Sequence, residues 1–389
     1  MRRNLAINKT TYPAYTVITF MYYFCLGIFG SILTIYLQSI GKTSLEISFI
    51  ISSNFIFSLL VTPFINIIYD RINKKKFIIS LITISSSIFV VIFAFSEHVL
   101  VLFITSGLAL SIVQSLGPII DKLITSSSYT YGSIRVWGAV GFACSIQLSA
   151  FVVESFNSKF IFLNFIIALS LLFLSLRKIL NTVPIDLDQT SHSQKHRKSI
   201  LLDKNLILFF ILAFLFNGIT GVNSTYLPIL YQDIGVPISK IGTILFLGTL
   251  MEIPLILFSK HFMDKFSSKF LLVSSFLLLI IQFSFYSFAS NQLLIFMITI
   301  LTKSLATMLF IMITLKVIIN IVPDNLVVTI LALTNTIKSL GSFVNQNISG
   351  LILENIEIRQ FYLLLTIASC ISLILAFNMR IGNKINSFS

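Results

Sequence analysis

Long apolar runs separated by short polar breaks recur along the whole chain. They fall at about 12–37, 45–69, 77–95, 98–124, 135–154, 159–177, 205–230, 239–259, 270–288, 291–320, 326–352 and 359–378. A helix needs roughly 20 apolar residues to cross a hydrocarbon core about 30 Å thick. The pattern therefore predicts an all-α membrane protein with twelve transmembrane helices. The first run is too long, and too weakly flanked by a small-residue cleavage site, to be a removable signal peptide. Composition agrees: 56% of the 389 residues are hydrophobic, 38 are Phe and 11% are charged, where a soluble domain carries about 25% charged residues.

A net charge of +13 would suit a nucleic-acid partner, but its placement argues for a different origin. With the N-terminus inside, only Lys42, Lys159, Lys240 and Arg359 lie in outer loops, and Lys303 and Lys338 lie within spans. All other Lys and Arg fall on the inner side. This is the positive-inside asymmetry, so both termini are expected in the cytoplasm, with the chain in the cell membrane and no nucleic acid bound. Cys25, Cys144 and Cys370 fall in spans at unrelated spacings, which speaks against a disulfide framework or a zinc site. His192 and His196 are four apart in a polar stretch with no apolar face, and no metal is expected there.

The breaks also repeat. Residues 37–41 read LQSIG and residues 231–235 read YQDIG, 194 positions later (231 minus 37). The same offset carries Asp70 onto Asp264, Arg71 onto Lys265, Lys75 onto Lys269 and Lys122 onto Lys316. The chain is thus expected to be two six-helix bundles, 1–178 and 205–389, related by a parallel repeat. The polar stretch 179–204 between them reads as a cytoplasmic linker.

Two six-helix halves joined by a long central loop resemble the major facilitator superfamily across essentially the whole chain. NIIYDRINKKK at 66–76 is similar to that superfamily's loop signature, Gly-x-x-x-Asp-Arg-x-Gly-Arg-Arg. Asp70 and Arg71 match, Lys74 and Lys75 keep the charge, and Asn66 and Asn73 replace the glycines. The eleventh span begins at Pro323-Asp324-Asn325, an N-cap followed by free amide donors. Asp70 set against that positive end would latch the halves on the cytoplasmic side. Asp70, Arg71, Lys75, Asp264 and Lys265 are therefore the expected cytoplasmic gate. The alternative is that Asp70 only offsets a topogenic basic cluster.

The fifth span opens with YGSIRVWGAVGF at 131–142. Gly138 and Gly141 share a helix face with Ser145, a groove into which a second backbone can pack. Trp137 reads as an interfacial anchor. Arg135 is either another topogenic charge or a residue that reaches the central cavity. The pattern Tyr-Gly-x-x-Arg-x-Trp-Gly-x-x-Gly-Phe resembles the phenylpropionate permease, oligosaccharide:proton symporter and nucleoside:proton symporter branches. Asp121-Lys122 also suits the oligosaccharide branch. The resemblance implies that Arg135 contacts substrate. The sugar-binding acid of the oligosaccharide branch would fall near Gly117, so a disaccharide is not expected.

Three charges stand within spans: Glu252, Lys303 and Lys338. At 1.5 Å per residue, Glu252 and Lys303 lie roughly 18 Å below the outer surface and Lys338 about 18–20 Å above the inner one. A charge there costs about 2.5–3.5 kcal/mol on insertion scales, so the three are expected to share one wet compartment. Polar stripes support this: Thr334, Lys338, Gly341, Ser342, Asn345 and Ser349 in the eleventh span, Asn217, Thr220, Gly221 and Ser224 in the seventh, and Asn54, Ser58 and Thr62 in the second. The superfamily resemblance implies that spans 1, 2, 4, 5, 7, 8, 10 and 11 face the cavity. Gln114 and Asn335 are further cavity candidates, with helix–helix hydrogen bonding as the alternative. Tyr22 and Tyr23 could stack on a substrate ring.

The expected function is proton-coupled symport of a small organic solute by alternating access, with Glu252 as proton carrier. Burial and a neighbouring ammonium act on a carboxyl in opposite senses, so substrate binding that changes their balance couples proton transfer to transport. One acid against two lysines, or three cations with Arg135, favours an anion such as an aromatic or other carboxylate. The proton gradient is the driving force, no cofactor is expected, and the protein is expected to be a monomer. Alternatives are a drug/proton antiporter, which usually carries a Gly-Pro signature absent from 138–153, and a sugar or nucleoside symporter. A membrane enzyme acting on lipid-linked substrates is disfavoured, since the 14 acids are scattered singly and no phosphate loop or nucleophilic triad is present.

Overall fold

The computed structural model describes residues 12–72, 74–125, 127, 129–182, 203–263, 265–289, 291–323 and 326–379. Twelve helical spans run through them: α1 in two pieces (α1a, Tyr12–Ile28; α1b, Ser31–Ser39), α2 (Ser44–Arg71), α3 (Lys75–Phe95), α4 in two pieces (Val99–Gln114 and Leu116–Thr125), α5 (Tyr131–Ser155) and α6 (Phe160–Thr182) form the first bundle. The second holds α7 (Lys204–Asp233), α8 in two pieces (α8a, Ile238–Leu250; α8b, Glu252–Met263), α9 (Ser268–Phe288), α10 (Gln292–Ile321), α11 (Val327–Leu353) and α12 (Ile358–Phe377). α6 continues through residues 179–182, into the stretch expected to be linker. Residues 183–202, with His192 and His196, lie outside the described residues. Among the described residues, 11 spans are long and apolar enough to cross a membrane by length and composition alone.

Local chemistry explains the repeated turn. LQSIG and YQDIG both end in a left-handed glycine, Gly41 and Gly235, each with φ of 78°. The Lys42 N–H donates to the Leu37 carbonyl (3.1 Å) and the Val236 N–H to the Tyr231 carbonyl (2.9 Å), the same C-terminal cap in each bundle. α2 then starts with a reciprocal capping box, Thr43 against Glu46. Asp203 caps α7 by accepting from the amides of Asn205 and Leu206.

Within each bundle the backbones approach closely at glycine. A Cβ on Gly141 of α5 would collide with the Phe20 backbone of α1a, and one on Gly341 of α11 would collide with the Phe214 backbone of α7. Phe214 lies 194 positions after Phe20 (214 minus 20) and Gly341 lies 200 after Gly141 (341 minus 141), so the crossing recurs in the second bundle with a six-residue shift on the glycine-bearing helix. Ser145 meets Gly27, which completes the packing groove expected on α5. Trp137 is 43% exposed, as an interfacial anchor requires.

Two cores result. One is built from residues between Tyr15 and Ile179. The other gathers residues between Leu206 and Met379, joined by Ile32, Ile35, Ile146 and Ala150 from the first bundle. Those four lie near the end of the molecule opposite the basic loops, and the hydrogen bonds between bundles lie there too. Tyr226 of α7 donates to the Ser44 carbonyl (3.0 Å) and bonds the Ser48 hydroxyl of α2. Gln346 of α11 donates to Ser48 (3.3 Å) and accepts from Thr225. Glu154 at the end of α5 accepts from the Ser239 N–H at the start of α8a. Among the described residues no hydrogen bond joins the bundles at the basic end. Among the described residues, the polar contacts that join the bundles gather at the end opposite the basic loops.

Candidate substrate and proton site

Proline breaks the helices that carry the site. Pro118 leaves the Gln114 carbonyl without its helical donor, α4 divides at Ser115, and the freed carbonyl faces the Tyr22 hydroxyl at 3.4 Å. Pro254 does the same to α8, which divides at Met251 and leaves Glu252 in the first turn of α8b. A carboxylate in a first turn meets the positive end of the helix dipole. A half-helix terminus near the membrane midplane is a setting in which transporters bind charge. Both breaks were available in the sequence as Gly117-Pro118 and Pro254, but hydropathy alone passes over them.

Charges from the two bundles converge beside these breaks. Glu252 lies within the electrostatic field of Lys303 on α10 and then of Arg135 on α5, with the Ser304 hydroxyl beside it. Arg135 lies with its guanidinium carbon 4.0 Å from the centre of the Tyr23 ring, a cation–π contact. Arg135 therefore turns inward and is not merely a loop charge. Tyr22 and Tyr23 pack edge to face at 4.9 Å, and Tyr131 donates to the Asp121 carboxylate at 2.9 Å. A Cβ at Gly117 would stand 2.6 Å from the Tyr22 hydroxyl, so a side chain at that position would displace Tyr22.

Lys338 does not join this group. It is 9% exposed, donates to the Thr314 hydroxyl of α10 at 2.9 Å and lies 5.3 Å from the Phe310 ring centre, with no acid beside it among the described residues. Depth along a helix sets the height of a side chain but not its direction around the axis, which is why the shared compartment was expected for all three charges. The polar stripe of α11 is corrected in the same way. Asn217 donates to Ser342 (3.1 Å), Ser342 donates to the Asn217 carbonyl (3.1 Å), and Gly218 packs against Asn345. The stripe joins α11 to α7 instead of lining water. Asn217 is thus a helix–helix contact, Asn335 is exposed away from these bonds, and Gln114 sits at the α4 break.

Replacing Lys338 by methionine should test what the buried ammonium does. Removing an unpaired charge from the bilayer interior is expected to stabilise the folded protein by up to about 2.5 kcal/mol while slowing transport. Thermal unfolding in detergent, read beside uptake, checks this; a fall in both would show that the bond to Thr314 is its whole role.

At the basic end, Asp70 and Arg71 are exposed, and the Asp70 carboxylate makes no hydrogen bond among the described residues. Lys75 caps α2 by donating to the Tyr69 and Asp70 carbonyls and lies 4.3 Å from the centre of the Tyr69 ring. Lys265 is exposed; Asp264, Asn73, Asp324 and Asn325 lie outside the described residues. The polar seal of Ser48, Tyr226, Thr225 and Gln346 at the other end was missed, because each of these residues alone reads as ordinary helix polarity.

Comparison with known proteins agrees with this architecture. The chain is 24% identical over 333 residues to the uncharacterized transporter YwbF of Bacillus subtilis (strain 168), covering 83% of this chain and 82% of that one. It is 23% identical over 376 residues to a maltose permease of Geobacillus stearothermophilus, covering 95% and 94%. Among solved structures, the nucleoside transporter NupG superposes with a TM-score of 0.76 at 14% identity, over 95% of this chain and 98% of that one. A bacterial homolog of the human lysosomal transporter Spinster, inward-facing and occupied, superposes with a TM-score of 0.68 at 14% identity, over 95% and 96%. Residues 12–364 match the MFS_1 like family. The chain belongs to that family, and it is a multi-pass membrane transporter with the major facilitator fold.

Proposed function

We propose that the protein imports a small organic anion together with protons by alternating access, its basic loops and both termini in the cytoplasm. One observation carries the reading: Glu252 of the second bundle lies in the electrostatic field of Lys303 and of Arg135 of the first bundle, beside two broken helices. Two cations against one acid leave a net positive site, and a substrate carboxylate would bring a second anion to the same cations. A proton on Glu252 then restores the charge count, which ties the proton to the solute. Tyr23 holds Arg135 against its ring and Tyr22 packs edge to face on Tyr23, so the two tyrosines position the guanidinium. With the basic end in the cytoplasm, the seal at the opposite end supports an inward-facing reading. Asp70 is then the open half of a latch that closes when the basic ends meet.

A neutral sugar or nucleoside is the second reading, favoured by the names of the maltose permease and NupG. Uptake into proteoliposomes decides between them. Labelled phenylpropionate, maltose and uridine are offered with the exterior one pH unit more acidic. Acid-driven accumulation of the carboxylate, with alkalinisation of the medium, is expected. Accumulation of maltose or uridine instead would establish the second reading, and uptake indifferent to the pH gradient would sink proton coupling. A drug antiporter would move its solute the opposite way.

A further inference from the structure

At the end opposite the basic loops, the termini of α1b, α5, α7 and α8a enclose an open cavity of about 480 Å³. Volumes of roughly 300–1,000 Å³ suit small-molecule sites. Gln38 and Gln232 both line it, and they are the same position of the two repeats, 194 residues apart (232 minus 38). Each is held by its capped turn: the Gly41 N–H donates to the Gln38 carbonyl (3.0 Å) and the Gly235 N–H to the Gln232 carbonyl (2.9 Å). Asn157 adds a third amide, whose oxygen is occupied by the Lys159 N–H at 3.0 Å, leaving its NH₂ to donate outward. Ser39 and Ser158 add hydroxyls 3.4 Å apart. Phe156, 61% exposed, supplies an aromatic surface.

The chemistry of this lining is selective. No ionisable side chain belongs to it among the described residues, unlike the central site. An amide presents a donor and an acceptor side by side, the fork that adjacent hydroxyl groups match, and an aromatic surface accommodates the apolar C–H face of a sugar ring. We infer that the cavity is a second site, for a neutral polyhydroxylated solute of the sugar class, and that its occupation holds the transporter in the state seen here. Its walls come from both bundles, so it exists only while these ends are together. A ligand bound to one state alone favours that state by a factor of 1 + [L]/Kd. Given the membrane orientation proposed above, sugar outside the cell acts as a brake on import.

The test uses the purified full-length protein with sucrose, trehalose and glucose as probes. Each is measured by thermal shift and as an inhibitor of uptake when added outside proteoliposomes. At ten times its Kd, a binding sugar is expected to slow uptake about tenfold, raise the unfolding midpoint and not accumulate itself. Gln38→Ala with Gln232→Ala should abolish both effects and leave sugar-free uptake unchanged; Phe156→Ala should weaken them. A shift that survives the double substitution, or no shift with any probe, overturns the inference. Accumulation of the labelled probe, with the shift insensitive to Gln38 and Gln232, assigns the sugar to the central site and also overturns it. Inhibition only from the lumenal face would refute the outside placement. Binding is read without transport, so failure of carboxylate uptake leaves this result standing separately.

Discussion

Replacing Glu252 by glutamine is expected to abolish uphill uptake while sparing exchange. Glutamine keeps the size of the side chain and a hydrogen-bonding group beside Ser304, so the α8 break and its packing survive. What disappears is the ability to take up and release a proton. A one-to-one symporter given one pH unit accumulates its substrate about tenfold, because that gradient stores about 1.4 kcal/mol; the variant's ratio should fall to about 1. Counterflow of labelled against unlabelled solute needs no net proton movement and should persist. Lys303 and Arg135 lose their nearby anion at the same time, so the apparent affinity for an anionic substrate should rise. Glu252→Asp, which keeps the carboxylate, should retain uphill uptake. Tenfold accumulation by Glu252→Gln would remove this residue from energy coupling.

Replacing Gly141 by leucine should prevent the first bundle from assembling. The position a Cβ would take is already filled by the Phe20 backbone of α1a. A side chain can rotate away from such a clash, but a helix backbone can yield only by separating the two helices. Overpacking of this kind costs ~3 kcal/mol or more, a large share of the stability of an ordinary protein. Loss of the monodisperse peak in detergent chromatography is the expected result. Gly132 begins the same helix with nothing within 4 Å of its Cβ position, so Gly132→Ala should behave as the unaltered protein does. Equal melting of the Gly141 and Gly132 variants would contradict the close α1–α5 crossing.

The spans were legible in the sequence because bilayer thickness imposes a length, and the matching turns after LQSIG and YQDIG because each ends in a glycine that takes the left-handed backbone. That Lys303 and Arg135 both act on Glu252 was partly legible as well, since a charge at that depth needs compensation and the family pattern singled out the arginine. Lys338 shows where this reasoning stops. The same argument placed it beside the others, yet its helix turns it toward Thr314 and Phe310. Ser342 and Gln346 make the related point. A row of small polar residues fits a water-filled cavity and a polar helix neighbour equally well, and only Asn217 and Thr225 across the gap decide between them.

That arrangement bears on how the protein is made. α11 carries Lys338 near its middle, with Asn335, Asn345, Gln346 and Asn347 in the same stretch. Left alone at the point of insertion, such a helix would partition poorly into lipid. Its partners Asn217 and Thr225 on α7 and Thr314 on α10 are synthesised earlier and offer polar contacts when it emerges. α11 thus enters the bilayer as a guest of helices already there, and the N-to-C order of translation becomes part of what allows the second bundle to be built.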